Sequence, residues 1–377
     1  MAGELTPAGE LEHGQRVTSL DGARGIACLL VLVHHCGRGP GVSLATEIFS
    51  RISAAGWIGV DMFFVLSGFL ITGLLLDARG RRGGLQRFWS RRALRILPLS
   101  YAFLALVFFS PIWRQEPWHA PLLSQQGWFW LYANNWLALW APSLDHGVLG
   151  HFWSLAIEEQ FYLVWPFAVL SLTPRRLSHL CVAIFAASLA GHLVAVARGA
   201  STDIICSLTP IRLDGLVAGA WLATRRYNRD PRIPARGSHR LPLAAAAVLA
   251  VLLAWPVGGF PAGSRWVMSV GFSGLALVFT LFLASVLCAP ASAAIRRLCE
   301  ARPLAYLGRI SYGFYIWHAP IVAFLRRHWT RSTSFAACFG FFVAALLIST
   351  LVATVSWFAF ERPILRLRPS GELALAK

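Results

Sequence analysis

Residues 19–36 read SLDGARGIACLLVLVHHC, and this stretch decides the class of protein. Residues 26–33 are all apolar, with Arg24 just before them and His34 and His35 just after. A membrane helix needs roughly twenty mostly apolar residues. An ionisable side chain within such a span is costly to bury and is therefore a functional hypothesis. The stretch predicts a first membrane helix whose ionisable residues take part in chemistry.

The whole chain has the composition of a membrane protein. Of its 377 residues, 56% are hydrophobic and 14% are charged, whereas soluble domains carry about a quarter charged residues. The net charge of +17 would suggest nucleic acid binding in a soluble protein. The apolar content excludes an ordinary soluble DNA-binding protein, a disordered chain and a secreted disulfide scaffold. We expect a lipid bilayer as partner and no nucleic acid. The seven cysteines have no zinc-ligand spacing, so no metal is expected.

Hydrophobic runs along the chain predict an all-α, polytopic membrane protein with about ten transmembrane helices. A Trp-rich stretch at 121–141 is predicted to be an interfacial segment, because Trp prefers the headgroup level. The ten predicted spans are 20–37, 56–76, 97–112, 149–172, 179–197, 207–224, 241–256, 266–288, 304–325 and 335–360.

The distribution of basic residues predicts the orientation of these spans. If the N-terminus is cytoplasmic, the loops and tail on that side hold twenty-two Lys and Arg residues, and the outer segments hold eight. Cytoplasmic loops carry an excess of basic residues. We therefore predict a multi-pass protein of the cell's inner (cytoplasmic) membrane with both termini in the cytoplasm. Residues 1–16 are then a cytoplasmic N-terminal tail and residues 369–377 a C-terminal tail.

Arg24 and His35 are eleven residues apart, which is close to three helical turns and about 16 Å of rise. Both side chains are therefore predicted to project from one face of the first helix. His34 lies about 100° away on that helix and should face elsewhere. A neutral imidazole can accept a proton from a hydroxyl. His35 is thus a candidate base, and the alternative is a histidine that only hydrogen-bonds a neighbouring helix.

Two further groups of charged residues lie in or beside predicted spans. Arg91, Arg92 and Arg95 open the third span. They indicate either a site for a phosphorylated cosubstrate or simple anchoring by the positive-inside rule. Glu158 and Glu159 are adjacent carboxylates within the fourth span and need cations, hydrogen bonds or protonation. They point about 100° apart on a helix, so at most one is expected to face a given partner.

Three charged residues are predicted at the outer ends of spans. Asp61 lies near the outer end of the second span, either as a functional carboxylate or as an interfacial helix cap. Arg212 and Asp214 lie at the outer end of the sixth span and are expected to pair with other loops. The second span also contains glycines suited to close helix packing. These glycines are Gly56, Gly59, Gly68 and Gly73.

The last two candidates are His318 and Glu361. His318 lies in the middle of a span just before Pro320, which can break the helix locally. Glu361 lies at the inner end of the last span, on the same side of the membrane as Arg24. A pair between Arg24 and Glu361 would neutralise both charges, and we state it as a hypothesis.

Seven motifs along the chain, in this order, resemble the acyltransferase-3 family of membrane O-acyltransferases. They are specific as an ordered set, although each one alone is weak. The resemblance implies one acyltransferase-3 membrane domain over residues 17–368, with about ten helices. The motifs read LDGARGIACLLVLVHH, GWIGVDMFFVLSGFLI, FWSRRALRILP, WSLAIEEQFYLVWP, RLDGLVAG, SYGFYIWHAP and ERP.

Members of this family transfer an acyl group, commonly acetyl, from acyl-coenzyme A to a hydroxyl. The resemblance implies that Arg24 and His35 form the catalytic pair, and that Arg91, Arg92 and Arg95 bind the acyl-CoA cosubstrate. The expected donor is acetyl-CoA. The expected acceptor is a carbohydrate such as lipopolysaccharide, exopolysaccharide or a related glycan. The residues expected to line the acceptor side or to balance charge are Asp61, Glu158, Glu159, Arg212, Asp214, His318 and Glu361.

Two alternative functions remain open from the sequence. The first is O-acylation of a macrolide or another secondary metabolite, which the family motifs do not distinguish from glycan acylation. The second is transport of a sugar-lipid or small solute, since transporters also bury charge in the membrane. Some members of the family carry a fused C-terminal hydrolase-like domain. The chain ends sixteen residues after Glu361, so we expect it to act alone or to pass the acyl group to a separate partner.

Overall fold

The computed structural model describes residues 17–37, 43–80, 83–228, 238–254, 259–261, 263–329 and 334–367. These residues form helices joined by turns and contain no strand, which confirms the predicted all-α class of polytopic membrane protein. The predicted tails at 1–16 and 369–377 lie outside the described residues.

The helices are named in chain order. The first nine are α1 (Thr18–His35), α2 (Leu44–Ala55), α3 (Ile58–Asp77), α4 (Gly84–Phe109), α5 (His119–Ser124), α6 (Gln126–Trp130), α7 (Leu137–Trp140), α8 (Phe152–Ser171) and α9 (Pro174–Ala197). The others are α10 (Thr202–Ser207), α11 (Asp214–Tyr227), α12 (Arg240–Ala254), α13 (Phe272–Cys288), α14 (Ala294–Glu300), α15 (Arg302–Arg309), α16 (Ser311–His328), α17 (Phe335–Ser356) and α18 (Arg362–Arg366). Two π-helical turns, Val267–Gly271 and Trp357–Glu361, lead into α13 and α18.

Within the described residues, five helical stretches are long and apolar enough to cross a membrane. Each of the ten predicted spans contains a helix, but the count of ten membrane crossings is not confirmed. Several of these helices are short, or they carry charge that lowers their hydropathy. The five stretches are Leu44–Asp77, Gly84–Phe109, Pro174–Ala197, Val267–Cys288 and Phe335–Arg366.

Three predicted spans were wrong in their boundaries. The sixth was predicted to begin at residue 207, yet α11 begins at Asp214, because a 3-10 turn at Thr209–Ile211 with Pro210 precedes it. The third was predicted to begin at residue 97, yet α4 begins at Gly84. Its basic first turns are rich in residues with good helix propensity, and charge does not stop a helix. The ninth is divided into α15 and α16, although α16 runs without interruption past Pro320. The predicted break at that proline was wrong, because one missing backbone hydrogen bond is tolerated in a helix packed on its neighbours.

The Trp-rich stretch at 121–141 forms short helices rather than a span, namely α5, α6 and α7. It is attached to α8 by side-chain hydrogen bonds. Gln160 donates to the carbonyl oxygen of Tyr132 at 2.7 Å and to Asn135 Oδ1 at 2.9 Å. Asn135 in turn donates to the carbonyl oxygen of Ser207 at 3.0 Å. The stretch is therefore held against one end of the helical bundle.

Glycines allow the central helices to approach one another closely. Helix α1 packs against α3, α15 and α16, and α3 also packs against α11. A Cβ atom at Gly22 would lie 1.6 Å from the carbonyl oxygen of Cys299, and one at Gly68 would lie 1.8 Å from that of Leu216. Gly56 and Gly59 likewise face the backbone of α1, so the predicted packing role is confirmed at three of the four glycines. Gly73 has open space beside it.

This difference between two glycines of one helix gives a testable prediction. Gly68→Ala should lower the stability of the protein by about 1–3 kcal/mol, because the added methyl group forces α3 away from α11. Gly73→Ala is the matched control, and it should keep or slightly raise stability because alanine favours the helix. Thermal unfolding of both variants in the same detergent measures the effect. Equal melting temperatures for both variants would show that α3 and α11 are not in close contact.

Candidate active site

Two cavities lie side by side along α1, one near each end of this helix. The arginine cavity is lined by Arg24, Arg92, Arg95, Glu158 and Glu159, among others. The histidine cavity, of about 210 Å³, is lined by His34, His35, His151, Asp61 and Arg212, among others. Both cavities are also lined by Val60 of α3 and Tyr315 of α16. Arg24 and His35 thus both lie on the side of α1 that faces these two helices, as their spacing predicted.

Charges in the arginine cavity are arranged around Glu158. Its Oε1 accepts a hydrogen bond of 2.6 Å from the hydroxyl of Ser67, and its carboxylate interacts electrostatically with Arg92 and Arg24. The guanidinium of Arg92 lies 5.1 Å from the centroid of the Tyr162 ring. Helices α1, α3, α4 and α8 each contribute to this group. Arginine side chains that line such a cavity are suited to bind phosphate.

Glu158 and Glu159 both line the arginine cavity, and both interact electrostatically with Arg92. The expectation that at most one of them faces a given partner was therefore wrong. The two side chains leave α8 in different directions, yet both line the cavity that also contains Arg92. The backbone angle between neighbours on a helix does not set the position of a flexible side chain's end.

The three arginines predicted to bind a cosubstrate differ in their placement. Arg92 and Arg95 line the arginine cavity. Arg91 is exposed and does not line it. Helix α4 is continuous through these residues, so the side chains of Arg91 and Arg95 point in similar but not identical directions. The surrounding helices cover only Arg92 and Arg95. This division provides a matched control for experiments on the site.

Glu361 is buried beside the arginine cavity but is not paired with Arg24. It accepts a hydrogen bond of 3.1 Å from the hydroxyl of Ser356 and interacts electrostatically with Arg95. Arg24 interacts instead with Asp21 and Glu158. The hypothesis of an Arg24–Glu361 pair was therefore wrong. The two residues lie on the same side of the bundle, but α17 and its π-helical turn bring Glu361 towards α4 rather than α1.

In the histidine cavity, the backbone determines how His35 can act. The Nδ1 atom of His35 is 2.9 Å from the carbonyl oxygen of Val31, one turn earlier in α1. A carbonyl oxygen only accepts, so Nδ1 carries the proton and Nε2 of the neutral ring has a lone pair. His35 therefore offers an accepting nitrogen in the cavity, as a base requires.

Two other histidines contact His35. His34 reaches α2, where its Nδ1 is 3.0 Å from the carbonyl oxygen of Ser53, but it also lines the histidine cavity together with His35, contrary to the prediction that it faces elsewhere. His318 is fully buried, and its ring centroid is 4.8 Å from that of His35. Nδ1 of His318 is 2.7 Å from the carbonyl oxygen of Tyr315, so this ring also has a lone pair on Nε2.

His151 is a member of the site that was not predicted from the sequence. Its side chain is buried next to the start of α8, and its ring centroid is 5.1 Å from that of His318. The residue stands in the sequence motif GHFWSL, at 150–155. A histidine inside the predicted span 149–172 was the available signal. Only the structure brings it next to His35, because α1 and α8 are far apart in sequence.

One wall of the histidine cavity is a buried group of charges. Nη2 of Arg212 donates to Asp61 Oδ1 at 2.6 Å, and its Nη1 is 3.9 Å from Asp214 Oδ1. All three side chains are at most 1% exposed. Asp61 is therefore an ion-pair partner rather than a helix cap. Arg212 and Asp214 were expected to pair with loops, but their partners lie on helices and the expectation was wrong.

Further contacts complete this group of charges. The hydroxyl of Ser273 donates to Asp214 Oδ2 at 2.9 Å, and Nε2 of His192 is 3.4 Å from the same oxygen. The guanidinium of Arg212 also lies 3.9 Å from the centroid of the Phe272 ring. Neither His192 nor Ser273 was predicted from the sequence. Both lie within apolar helices, α9 and α13, where a single polar residue gives little signal.

The family model described as an acyltransferase domain matches residues 17–357, which include both cavities and the group of charges. The chain belongs to the acyltransferase-3 family. The resemblance of its seven ordered motifs to this family is thereby confirmed. No solved structure matches the chain.

Curated relatives of this acyltransferase-3 chain include three bacterial proteins. The putative peptidoglycan O-acetyltransferase YrhL of Bacillus subtilis is 28% identical over 94% of this chain and 55% of its own length. The peptidoglycan O-acetyltransferase OatA of Listeria monocytogenes is 29% identical over 81% of this chain and 49% of its own length. The O-acetyltransferase OatA of Staphylococcus aureus is 27% identical over 92% of this chain and 56% of its own length. The chain thus spans about half the length of the relatives it matches.

Proposed function

We propose that this acyltransferase-3 chain transfers an acetyl group from acetyl-CoA to a hydroxyl of a cell-envelope glycan. The observation that carries the proposal is the pair of adjoining cavities, with arginines in one and the accepting Nε2 of His35 in the other. The names of the relatives support acetyl as the acyl group and a peptidoglycan-type sugar as the acceptor. We further propose that the chain lies in the inner membrane with both termini in the cytoplasm.

The arginine cavity would receive the donor. Arg92 and Arg95 supply guanidinium groups, which bind phosphate oxygens through two hydrogen bonds each. Glu158 and Glu361 keep these arginines in place through the electrostatic interactions described above. The pantetheine arm would then run past Val60 and Tyr315, which line both cavities. The rise of about 16 Å from Arg24 to His35 is comparable to the length of that arm.

His35 would act as the base at the far end of the arm. Its Nε2 takes the proton from the acceptor hydroxyl as the oxygen attacks the thioester carbon. The carbon–sulfur bond then breaks, and the proton passes from His35 to the coenzyme A sulfur. The products are an O-acetyl ester and free coenzyme A, and His35 returns to its neutral form. The acceptor would enter from the side of the bundle that carries Asp61 and Arg212.

The test uses the full chain, purified and reconstituted in lipid vesicles, with [1-¹³C]acetyl-CoA and chito-oligosaccharide or muropeptide acceptors. We expect one O-acetyl group on the sugar, detected by mass spectrometry, for each coenzyme A thiol released. Mild base should remove the label, since esters hydrolyse and N-acetyl groups do not. Absence of acetyl-CoA consumption with every acceptor, under conditions where the protein remains folded, would contradict the proposal.

Substitution of the cavity arginines tests donor binding. Arg92→Ala and Arg95→Ala should each raise KM for acetyl-CoA about tenfold to a hundredfold, because a charge-assisted phosphate contact is worth about 1.5–3 kcal/mol. Arg91→Ala is the matched control and should leave KM unchanged, since this side chain is outside the cavity. An equal rise in KM for all three variants would indicate general attraction by positive charge instead of a defined phosphate site.

A further inference from the structure

We propose that His151 is a catalytic residue whose ring N–H donates a hydrogen bond to the thioester carbonyl oxygen during acyl transfer. The inference rests on the proposed function and adds a second role to the same site. Attack on a thioester places negative charge on its carbonyl oxygen, and a positioned donor lowers the barrier by stabilising that charge. The question is which side chain of the histidine cavity supplies this donor.

The three clustered imidazoles differ in the use of their N–H groups. His35 donates its Nδ1–H to the carbonyl oxygen of Val31, and His318 donates its Nδ1–H to that of Tyr315. Each of these two neutral rings can therefore only accept a hydrogen bond, through Nε2. Among the residues that the structure describes, neither ring nitrogen of His151 has a hydrogen-bond partner. The carbonyl oxygen of Val148 lies near the ring of His151, but the contact does not have hydrogen-bond geometry.

The burial and surroundings of His151 indicate that a ligand completes its hydrogen bonding. The residue is 5% exposed, and it lines the same cavity as His35. Buried polar groups in native proteins nearly always have a partner. His151 also precedes α8, a helix of 20 residues whose N-terminal end favours negative charge. A carbonyl oxygen that becomes negative at this point receives both the N–H donor and the helix dipole.

The resulting step divides the work between two histidines. Nε2 of His35 removes the hydroxyl proton, the new carbon–oxygen bond forms, and the carbonyl oxygen becomes an oxyanion that accepts from His151. The oxyanion then reforms the carbonyl, the carbon–sulfur bond breaks, and the sulfur takes the proton held by His35. His151 stays neutral throughout and exchanges no proton. A neutral imidazole as donor to a developing oxyanion has precedent in enzyme catalysis.

His151→Leu tests the inference because it removes the donor and keeps an apolar side chain of similar size. We expect kcat to fall about 10²–10³-fold, the usual effect of losing one oxyanion donor, with KM for acetyl-CoA unchanged. The fall should be the same for transfer to the glycan and for hydrolysis of acetyl-CoA by water, since both pass through an oxyanion. His151→Gln restores an N–H and should recover about tenfold of the lost rate.

The control is His119→Leu, at a buried histidine of α5 outside both cavities, and its kcat should match the unsubstituted chain. If His151 only held the acceptor sugar, His151→Leu would raise KM for the glycan and leave hydrolysis by water unchanged, which would overturn the inference. Unchanged kcat in a folded His151→Leu protein would also overturn the inference. In that case the proposed function would still stand, because the unsubstituted chain transfers acetyl. If the unsubstituted chain itself transfers no acetyl group, the proposed function fails.

An infrared measurement gives a readout that needs no turnover. Bound [1-¹³C]acetyl-CoA, without acceptor, should show its carbonyl stretch at lower frequency than in water-free solvent, because the N–H donor polarises the bond. In His151→Leu this shift should disappear, and in His151→Gln it should return in part. A shift that is identical in all three proteins would assign the donor to another group and overturn the inference.

Discussion

His35→Ala is expected to lower the rate of acetyl transfer about 10²–10⁴-fold, the range for loss of a general base. The substitution removes the accepting Nε2 of His35, a residue that lines the cavity. Nε2 of His318 also accepts, but His318 is fully buried and does not line the cavity. The measurement is the transfer of the labelled acetyl group from acetyl-CoA to the glycan, in vesicles that contain equal amounts of folded protein.

His179→Ala is the control for this prediction, because His179 is an exposed histidine of α9. It should transfer acetyl at the rate of the unsubstituted chain. Added imidazole should restore part of the activity of His35→Ala, since it can occupy the space and supply the missing base. A His35→Ala protein that retains more than about a tenth of the activity would lie outside the range for a lost base and would exclude His35 from that role.

Arg212→Met is expected to have the largest effect on stability. It leaves the carboxylates of Asp61 and Asp214 buried without their cation, and breaking a buried ion pair costs about 3–5 kcal/mol. Asp61→Asn should lower the free energy of unfolding less than Arg212→Met, because Arg212 keeps Asp214 at 3.9 Å. The free energies of unfolding can be compared in mixed micelles by titration with a denaturing detergent.

The matched control is an exposed ion pair on α2. Arg51 donates to Glu47 at 2.8 Å, with 69% and 39% of the two side chains exposed. Glu47→Gln should change stability by less than about 1 kcal/mol, as is usual for exposed pairs. If Arg212→Met unfolded at the same detergent concentration as Glu47→Gln, Arg212 would not form a buried ion pair with Asp61 and Asp214.

The sequence predicted the ionisable residues of the site better than their partners. Arg24 and His35 line the two cavities as their spacing of eleven residues implied, because a helix fixes the direction of residues along its own axis. The Arg24–Glu361 pair was wrong, because pairing depends on how α17 and α4 pack. His151 was missed for the same reason. Its role depends on contact with His318 and on lining the same cavity as His35, which lies on another helix.

The sequence alone determined that this is an all-α membrane protein of the acyltransferase-3 family and which residues carry charge into its interior. Hydrophobic runs and ordered motifs are local features, so they can be read without the fold. Only the tertiary structure decided which charges meet. It divided the site into an arginine cavity and a histidine cavity, and it paired Arg212 with Asp61. Side-chain contacts between distant helices depend on packing at glycines such as Gly68, and local periodicity contains no information about that packing.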